Sequence, residues 1–364
     1  MIKIKPLTKG KINIKPVTEQ QEINVKPSTV VINENYTESE VKEMIKNATQ
    51  FYIDILEDNI EGEFVFPDDI THLGYLGFCG HKKVTKIVCH DNMTFDATGS
   101  NFRWNNALKE FVFPNNPNFK SIMNYCFASS TGIETLDGFV FPEPITTVGQ
   151  YAFASCTALK DAHLPTNIIT LGNYCFNADT ALIEVSGEGV KTIGEHIFNG
   201  CTHLTSVDFP NLENLGSYAF NGCSALHYVS FPKLKTIAAN AFRGSKVTSV
   251  VLPDTLTTTQ LNTTFYDIDT LKWVDIPKSV NRFAGNEFYG CAALQYIILR
   301  NPTPPSIANS TFRNVKTGGK IYVPKGSKAA YEATRWNNST ANYYPKKYGW
   351  TIEELDEDGN IPTE

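Results

Sequence analysis

The chain is predicted to be an all-β repeat solenoid of about twelve turns, and three recurrences predict it. A phenylalanine returns at intervals of 22 to 26 residues, at Phe78, Phe102, Phe127, Phe153, Phe176, Phe198, Phe220, Phe242, Phe265, Phe288 and Phe312. An aliphatic residue stands six positions after most of them, as at Leu108, Ile133, Leu159, Leu182, Leu204 and Leu226. A short strand-like run closed by proline follows, as in Phe111-Val112-Phe113-Pro114, Val207-Asp208-Phe209-Pro210, Val229-Ser230-Phe231-Pro232 and Val274-Asp275-Ile276-Pro277. A fixed period of this length describes a turn too small to bury its own apolar face, so each turn must stack on its neighbours.

Within each run two apolar residues flank a variable one. At a period of two the flanking pair points inward and the middle residue faces out. Proline has no N–H to continue a ladder, which marks where every turn bends. The outward series is Val65, Val112, Val140, His163, Glu184, Asp208, Ser230, Val251, Asp275, Ile298 and Tyr322. Its polar and aromatic members, His163, Glu184, Asp208, Ser230, Asp275 and Tyr322, are the candidate partner-binding residues of the repeat face. A second strand-like piece leads to glycine, as in Val190-Lys191-Thr192-Ile193-Gly194, and the Phe segment comes next. Gly80, Gly200, Gly222, Gly244 and Gly290, two residues past their Phe, supply a backbone conformation that a β-carbon penalises.

The pattern Leu-x-x-(apolar)-x-(apolar)-Pro followed by Ile-Gly-x-Tyr/Asn-Ala-Phe-x-Gly-Cys resembles the BspA-like leucine-rich repeats of bacterial and protist surface proteins. The resemblance covers about residues 60 to 325. Asn301-Pro302-Thr303-Pro304-Pro305, Ile321-Tyr322-Val323-Pro324, Tyr331 and Trp336 are similar to the closing segment of such arrays. The resemblance implies a solenoid and a binding role, and it names no ligand.

Four regions are expected: an extended arm over 1–35, a capping helix over 36–58, the solenoid over 59–326, and a C-terminal cap with an acidic tail over 327–364. The arm repeats Ile2-Lys3-Ile4-Lys5-Pro6, Ile12-Asn13-Ile14-Lys15-Pro16 and Ile23-Asn24-Val25-Lys26-Pro27, an alternation that describes three half-buried strands. They hold too few apolar side chains for a core, so Ile2, Ile4, Ile12, Ile14, Ile23 and Val25 are expected to dock on protein partners or neighbouring copies. Thr37-Glu38-Ser39-Glu40 is a capping box, and Val41, Met44, Ile45, Ala48, Tyr52 and Ile55 share one face of the helix it starts.

With 19% charged residues and a net charge of −6, the chain carries no nucleic-acid footprint. Charge is uneven: residues 1–27 hold six Lys against two Glu, and residues 351–364 hold six acids and no base, which reads as a solvated tail. No segment is long and apolar enough to insert in a membrane, and Met1-Ile2-Lys3-Ile4-Lys5-Pro6 lacks the apolar stretch of an export signal. Cys156, Cys201, Cys223 and Cys291 each lie three residues after a Phe, and Cys126 and Cys175 immediately before one. Such positions describe reduced core thiols acting as small hydrophobes.

Chemistry has little foothold. Cys79, His81, Cys89 and His90 fall within twelve residues but match no zinc spacing. No nucleophile elbow or phosphate loop is present, so neither enzyme activity nor a cofactor is expected. The expectation is a non-enzymatic adhesion module held in a larger assembly by its arm: a phage virion fibre or decoration protein located in the virion, with a cell-surface protein or glycan bound on the repeat face. A secreted or surface-anchored adhesin is the alternative, and an intracellular enzyme or metal protein the third reading.

Overall fold

A computed structural model describes residues 61–362, apart from short stretches at 67, 69, 75–76, 97–98, 309 and 340–343. The expected arm and capping helix lie outside the described residues. Within them the chain is a parallel β-solenoid of about eleven turns with almost no helix, in agreement with the repeat solenoid expected from the sequence.

One face carries the proline-closed strands. Gly62–Val65, Val84–Val88, Glu110–Val112 and Phe139–Val140 form its first sheet, and Asp161–His163, Glu184–Ser186 and Ser206–Asp208 its second. Ser249–Val251, Trp273–Ile276, Tyr296–Leu299, Lys320–Val323 and Thr351–Glu354 form the third. The other face is built of two-residue strands, continuous from Ser121–Ile122 to Thr236–Ile237 and flanked by smaller sheets. Interruptions on the two faces are staggered at the N-terminal end and coincide after Thr236–Ile237. The continuous six-stranded sheet of the second face spans the first of the two gaps and the near half of the second, ending at Thr236–Ile237, beyond which the Phe-segment side keeps the turns bonded through Asn240 and Phe242 N–H to the Asn262 and Thr264 carbonyls. The expected strand Val229-Ser230-Phe231 does not form, and its turn occupies one of these gaps.

A third bonded side runs through the Phe segment. Residues two before, at and two after the Phe donate to carbonyls of the following turn: Tyr151 N–H to Asn173 at 2.9 Å, Phe153 to Cys175 at 3.0 Å and Ser155 to Asn177 at 2.8 Å. Outer members of this triplet hold positive φ, as at Tyr151 (54°), Ser155 (61°), Tyr174 (59°) and Ala178 (62°). Glycine fills the second position in only some turns, so the left-handed backbone belongs to the architecture rather than to glycine. In the second strand the requirement is space: a Cβ at Gly216 would collide with the Gly194 carbonyl of the preceding turn.

All eleven repeat phenylalanines are fully buried between these sides. From Phe102 to Phe288 successive ring centroids stand 5.2 to 5.9 Å apart with planes within 18° of parallel. At the C-terminal end Trp336 and Trp350 meet Phe312 edge-on at 5.7 and 5.6 Å. Their indole N–H groups donate to the carbonyls of Pro305 and Lys316, both at 2.7 Å. The acidic end is docked through its backbone while its acids stay at the surface: Thr351–Glu354 pairs with Lys320–Val323, Leu355 is buried, and exposed Glu357 meets Lys325 at 2.6 Å.

Two substitutions test this skeleton. Phe220→Ala removes a ring stacked on both sides and is expected to cost about 3–5 kcal/mol in denaturant unfolding, whereas exposed Ser230→Ala should change stability by less than about 0.5 kcal/mol. Ala178→Gly relieves a left-handed alanine and should raise stability by up to about 1 kcal/mol, net of glycine's unfolded-state entropy.

Candidate functional site

The strand face presents two outward columns. The first runs Glu63, Lys86, Glu110 in the first sheet, Asp161, Glu184, Ser206 in the second, and Ser249, Trp273, Tyr296, Lys320 in the third. Two residues further along the strands the second runs Val65, Val88, Val112, Val140, then His163, Ser186, Asp208, then Val251, Asp275, Ile298, Tyr322.

Most charges here are already matched. Lys86 Nζ lies 3.2 Å from Glu63 and 3.8 Å from Glu110, and His163 Nε2 lies 3.6 Å from Glu184 while its Nδ1 bonds Ser186 Oγ at 3.0 Å. Arg300 grips Asp275 with two bonds of 2.9 and 2.7 Å and donates a third to the Gly359 carbonyl.

Beside the gap at Tyr228–Ser230 the face is apolar, and its most exposed apolar side chains stand there. Tyr228 is 67% and Val251 56% exposed. Tyr228 directly follows His227, whose carbonyl accepts from Thr248 N–H at 3.0 Å, so it stands next to the turn of Ser249–Val251. One turn on, the Trp273 ring stacks on Tyr296 at 5.8 Å and 6°. Among the described residues, no backbone hydrogen bond involves Tyr228, Val229 or Ser230. Exposed aromatic rings beside unpaired main-chain donors and acceptors combine apolar anchors with polar groups that a ligand can satisfy.

The sequence-derived ladder is met only in part. His163 and Asp208 share a column and Ser230 is exposed, but Glu184 falls one pleat earlier, in register with Asp161 and Ser206, and Ser186 holds its expected place. Tyr322 and Ile298 are 7% exposed because Leu355 and Ile361 of the C-terminal segment pack over them. Asp275 is committed to Arg300. Ile2, Ile4, Ile12, Ile14, Ile23 and Val25 lie outside the described residues. Tyr228 and Trp273 were missed by the sequence pattern, although an aromatic stands there where other turns carry Glu, Asp or Ser.

The four residues considered for a metal have separate surroundings. Cys79 Sγ donates to the Ser100 carbonyl at 2.8 Å, and burial pushes its thiol up to about 12. His81 packs on Phe78 at 4.1 Å, Cys89 is buried, and His90 Nε2 donates to the Ile70 carbonyl at 2.9 Å. Among the described residues no three His, Cys, Asp or Glu side chains converge as a metal site, and no helix is long and apolar enough to cross a membrane.

The profile of the BspA type leucine-rich repeat region matches this chain in six copies, over residues 57–183, 135–245 and 235–339. The chain belongs to the BspA-type leucine-rich repeat family. Similar solved structures include the pneumococcal vaccine antigen PcpA, 18% identical over 81% of this chain and 90% of that one, with a TM-score of 0.44. Another is a leucine-rich repeat protein from Bacteroides ovatus, 18% identical over 80% and 83% with a TM-score of 0.43. A leucine-rich repeat protein of T. pallidum is 23% identical over 45% and 77%, with a TM-score of 0.39. No curated protein sequence matches the chain.

In this BspA-type array the buried position three residues after Phe has a defined task. Its side chain donates to the Phe carbonyl of the preceding turn: Asn105 to Phe78 at 3.0 Å, Ser130 to Phe102 at 3.2 Å, Cys201 to Phe176 at 3.0 Å and Cys291 to Phe265 at 3.0 Å. The eight cysteines are free. At this position they act as donors, a role beyond the space-filling one expected.

Asp179 occupies the same position. Its Oδ1 accepts from Cys156 N–H at 2.8 Å, its Oδ2 has no partner, and burial holds its carboxyl far above the usual range. Glu287, in another turn, accepts from Thr264 N–H at 2.9 Å through Oε1, leaves Oε2 unpartnered, and is pushed up to about 7 by burial. A carboxyl raised in the folded state binds its proton more tightly there than in the unfolded chain. Stability is therefore full below the unfolded value and falls as pH rises towards the folded one. Between pH 4.5 and about 7, Glu287→Gln should show a shallower loss of unfolding free energy than the native chain. Parallel curves for the two proteins would show that Glu287 does not retain its proton on folding.

Proposed function

We propose that the chain is a non-enzymatic binding module whose strand face recognises a protein partner around Tyr228, Val251 and Trp273. The single observation that carries this reading is the apolar patch beside the gap at Tyr228–Ser230, where exposed Tyr228 and Val251 adjoin main-chain groups without a backbone partner. A rigid array supports such a site by presenting anchors at fixed spacing, so little side-chain order is lost on binding.

The assembly that displays the module is a phage virion, in which the chain serves as a fibre or decoration protein held by the strand repeats of residues 1–35. The support is in the sequence: three short alternating repeats, too poor in apolar residues to form a core, precede a long self-sufficient array. A surface-anchored or secreted adhesin is the second reading, favoured by the resemblance of the repeat motif to bacterial and protist surface proteins.

Deleting residues 1–30 separates display from folding. The deleted chain should keep its unfolding midpoint and lose incorporation into the particle or oligomer. Normal assembly would sink the arm's role. Mass spectrometry of purified particles against cell-envelope fractions then chooses between the two readings by where the peptides are found.

A further inference from the structure

A second surface lies along the Phe-segment side. The residues two before each Phe stack face to face: Tyr125 on Tyr151 at 4.6 Å, Tyr151 on Tyr174 at 4.5 Å, Tyr174 on His196 at 4.7 Å and His196 on Tyr218 at 4.7 Å, all within 6° of parallel. All five are half-buried, and since their faces cover one another, ring edges and phenol hydroxyls are what solvent meets. Beside them runs an amide ladder, with Asn221 Nδ2 donating to Asn199 Oδ1 at 2.6 Å and Asn199 Nδ2 to Asn177 Oδ1 at 2.8 Å.

Arginines close the stack at both ends. Arg103 lies 5.4 Å from the Tyr125 ring and 4.3 Å from that of Trp104, while Arg243 lies between Tyr218 at 5.9 Å and Tyr266 at 4.6 Å. Among the described residues neither guanidinium forms a salt bridge with a carboxylate, and Trp104 remains 42% exposed. Tyr, Asn, Ser and Gly with Trp and Arg anchors is the composition of adaptable recognition surfaces.

We propose that this edge binds a linear polysaccharide running along the solenoid axis. Each rung from Tyr125 to Tyr218 carries a phenol hydroxyl, a side-chain amide or both, about 4.8 Å apart, so the protein offers a repeating polar line to a repeating polymer of hydroxyls and ring oxygens. Trp104 supplies one open ring face for a sugar at the end of that line, and Arg103 and Arg243 supply fixed donors. A protein partner fits less well, because it needs a contiguous apolar centre and the rings here are consumed by each other. Single-stranded nucleic acid also fits less well, because its bases need open aromatic faces and a basic groove, whereas Glu195 sits within this edge. The inference is independent of the protein site on the strand face.

The test is native affinity electrophoresis of the full chain in gels cast with dextran, a soluble β-glucan or polygalacturonate. Retardation is expected in at least one gel. Tyr151→Phe with Tyr174→Phe keeps the stacked rings and removes two hydroxyls, so the thermal midpoint should hold while affinity falls about tenfold, the size of two lost neutral hydrogen bonds. Trp104→Ala should weaken binding as well, and Tyr228→Ala on the strand face should leave it unchanged. Absence of retardation in all three gels overturns the proposal. So does retardation that survives the edge variants and disappears in Tyr228→Ala, which would place the glycan on the strand face instead.

Discussion

The stacked phenylalanine and the turn wrapped around it set the terms for everything else. Hydrogen bonds between turns set a rise of about 4.8 Å, and each ring lies nearly parallel to the next with its centroid 5.2 to 5.9 Å away, offset to fit that rise through the middle of the array. To bring the ring inward, the chain bends through left-handed residues on both sides of the Phe, at about 1–2 kcal/mol for each residue that is not glycine. That strain is offset locally. The bent residues donate to the following turn, and the tyrosines among them gain a stacked neighbour, so cost and compensation repeat together at every rung.

Because no turn is stable alone, the array tolerates a defect on one side only while another side remains bonded. The Phe-segment side meets this condition, since Asn240, Phe242 and Gly244 donate to Asn262, Thr264 and Tyr266 where both strand faces break. Where Tyr228–Ser230 leaves the strand face unpaired, Asn214–Leu215 still pairs with Thr236–Ile237 and Phe220 still stacks on Phe242. The gap thus exposes an aromatic ring and free main-chain groups beside a phenylalanine stack that stays continuous.

How much was legible follows from what is local. Phe, the closing Pro and the period are local, so the solenoid was readable from them. The left-handed backbone was half visible, because glycine marks it at Gly200 and Gly222 while Ala178 and Ser155 adopt it unannounced. Register was not local. Glu184 and Ser186 both fit an outward position by alternation, and only pairing with His163 and Asp208 selects Ser186. Burial of Tyr322 depended on Leu355 and Ile361, more than thirty residues away in sequence, which no reading of its own strand contains. The tyrosine stack was present in the sequence as Tyr or His two residues before Phe, but its meaning required knowing that those residues lie directly over one another.

The two surfaces differ in the state of their aromatic rings. On the strand face Tyr228 stands largely clear of neighbours and offers its ring, which suits burial against another protein. On the Phe-segment edge each tyrosine has spent its ring on the next and keeps only a hydroxyl and an edge, which suits hydrogen bonding to a polar polymer. One residue type is thus presented in two ways, with its ring free on one surface and stacked on the other. What decides between them is the backbone beneath: a broken rung frees the ring of Tyr228, whereas an unbroken succession of left-handed turns aligns Tyr125, Tyr151 and Tyr174 into a stack.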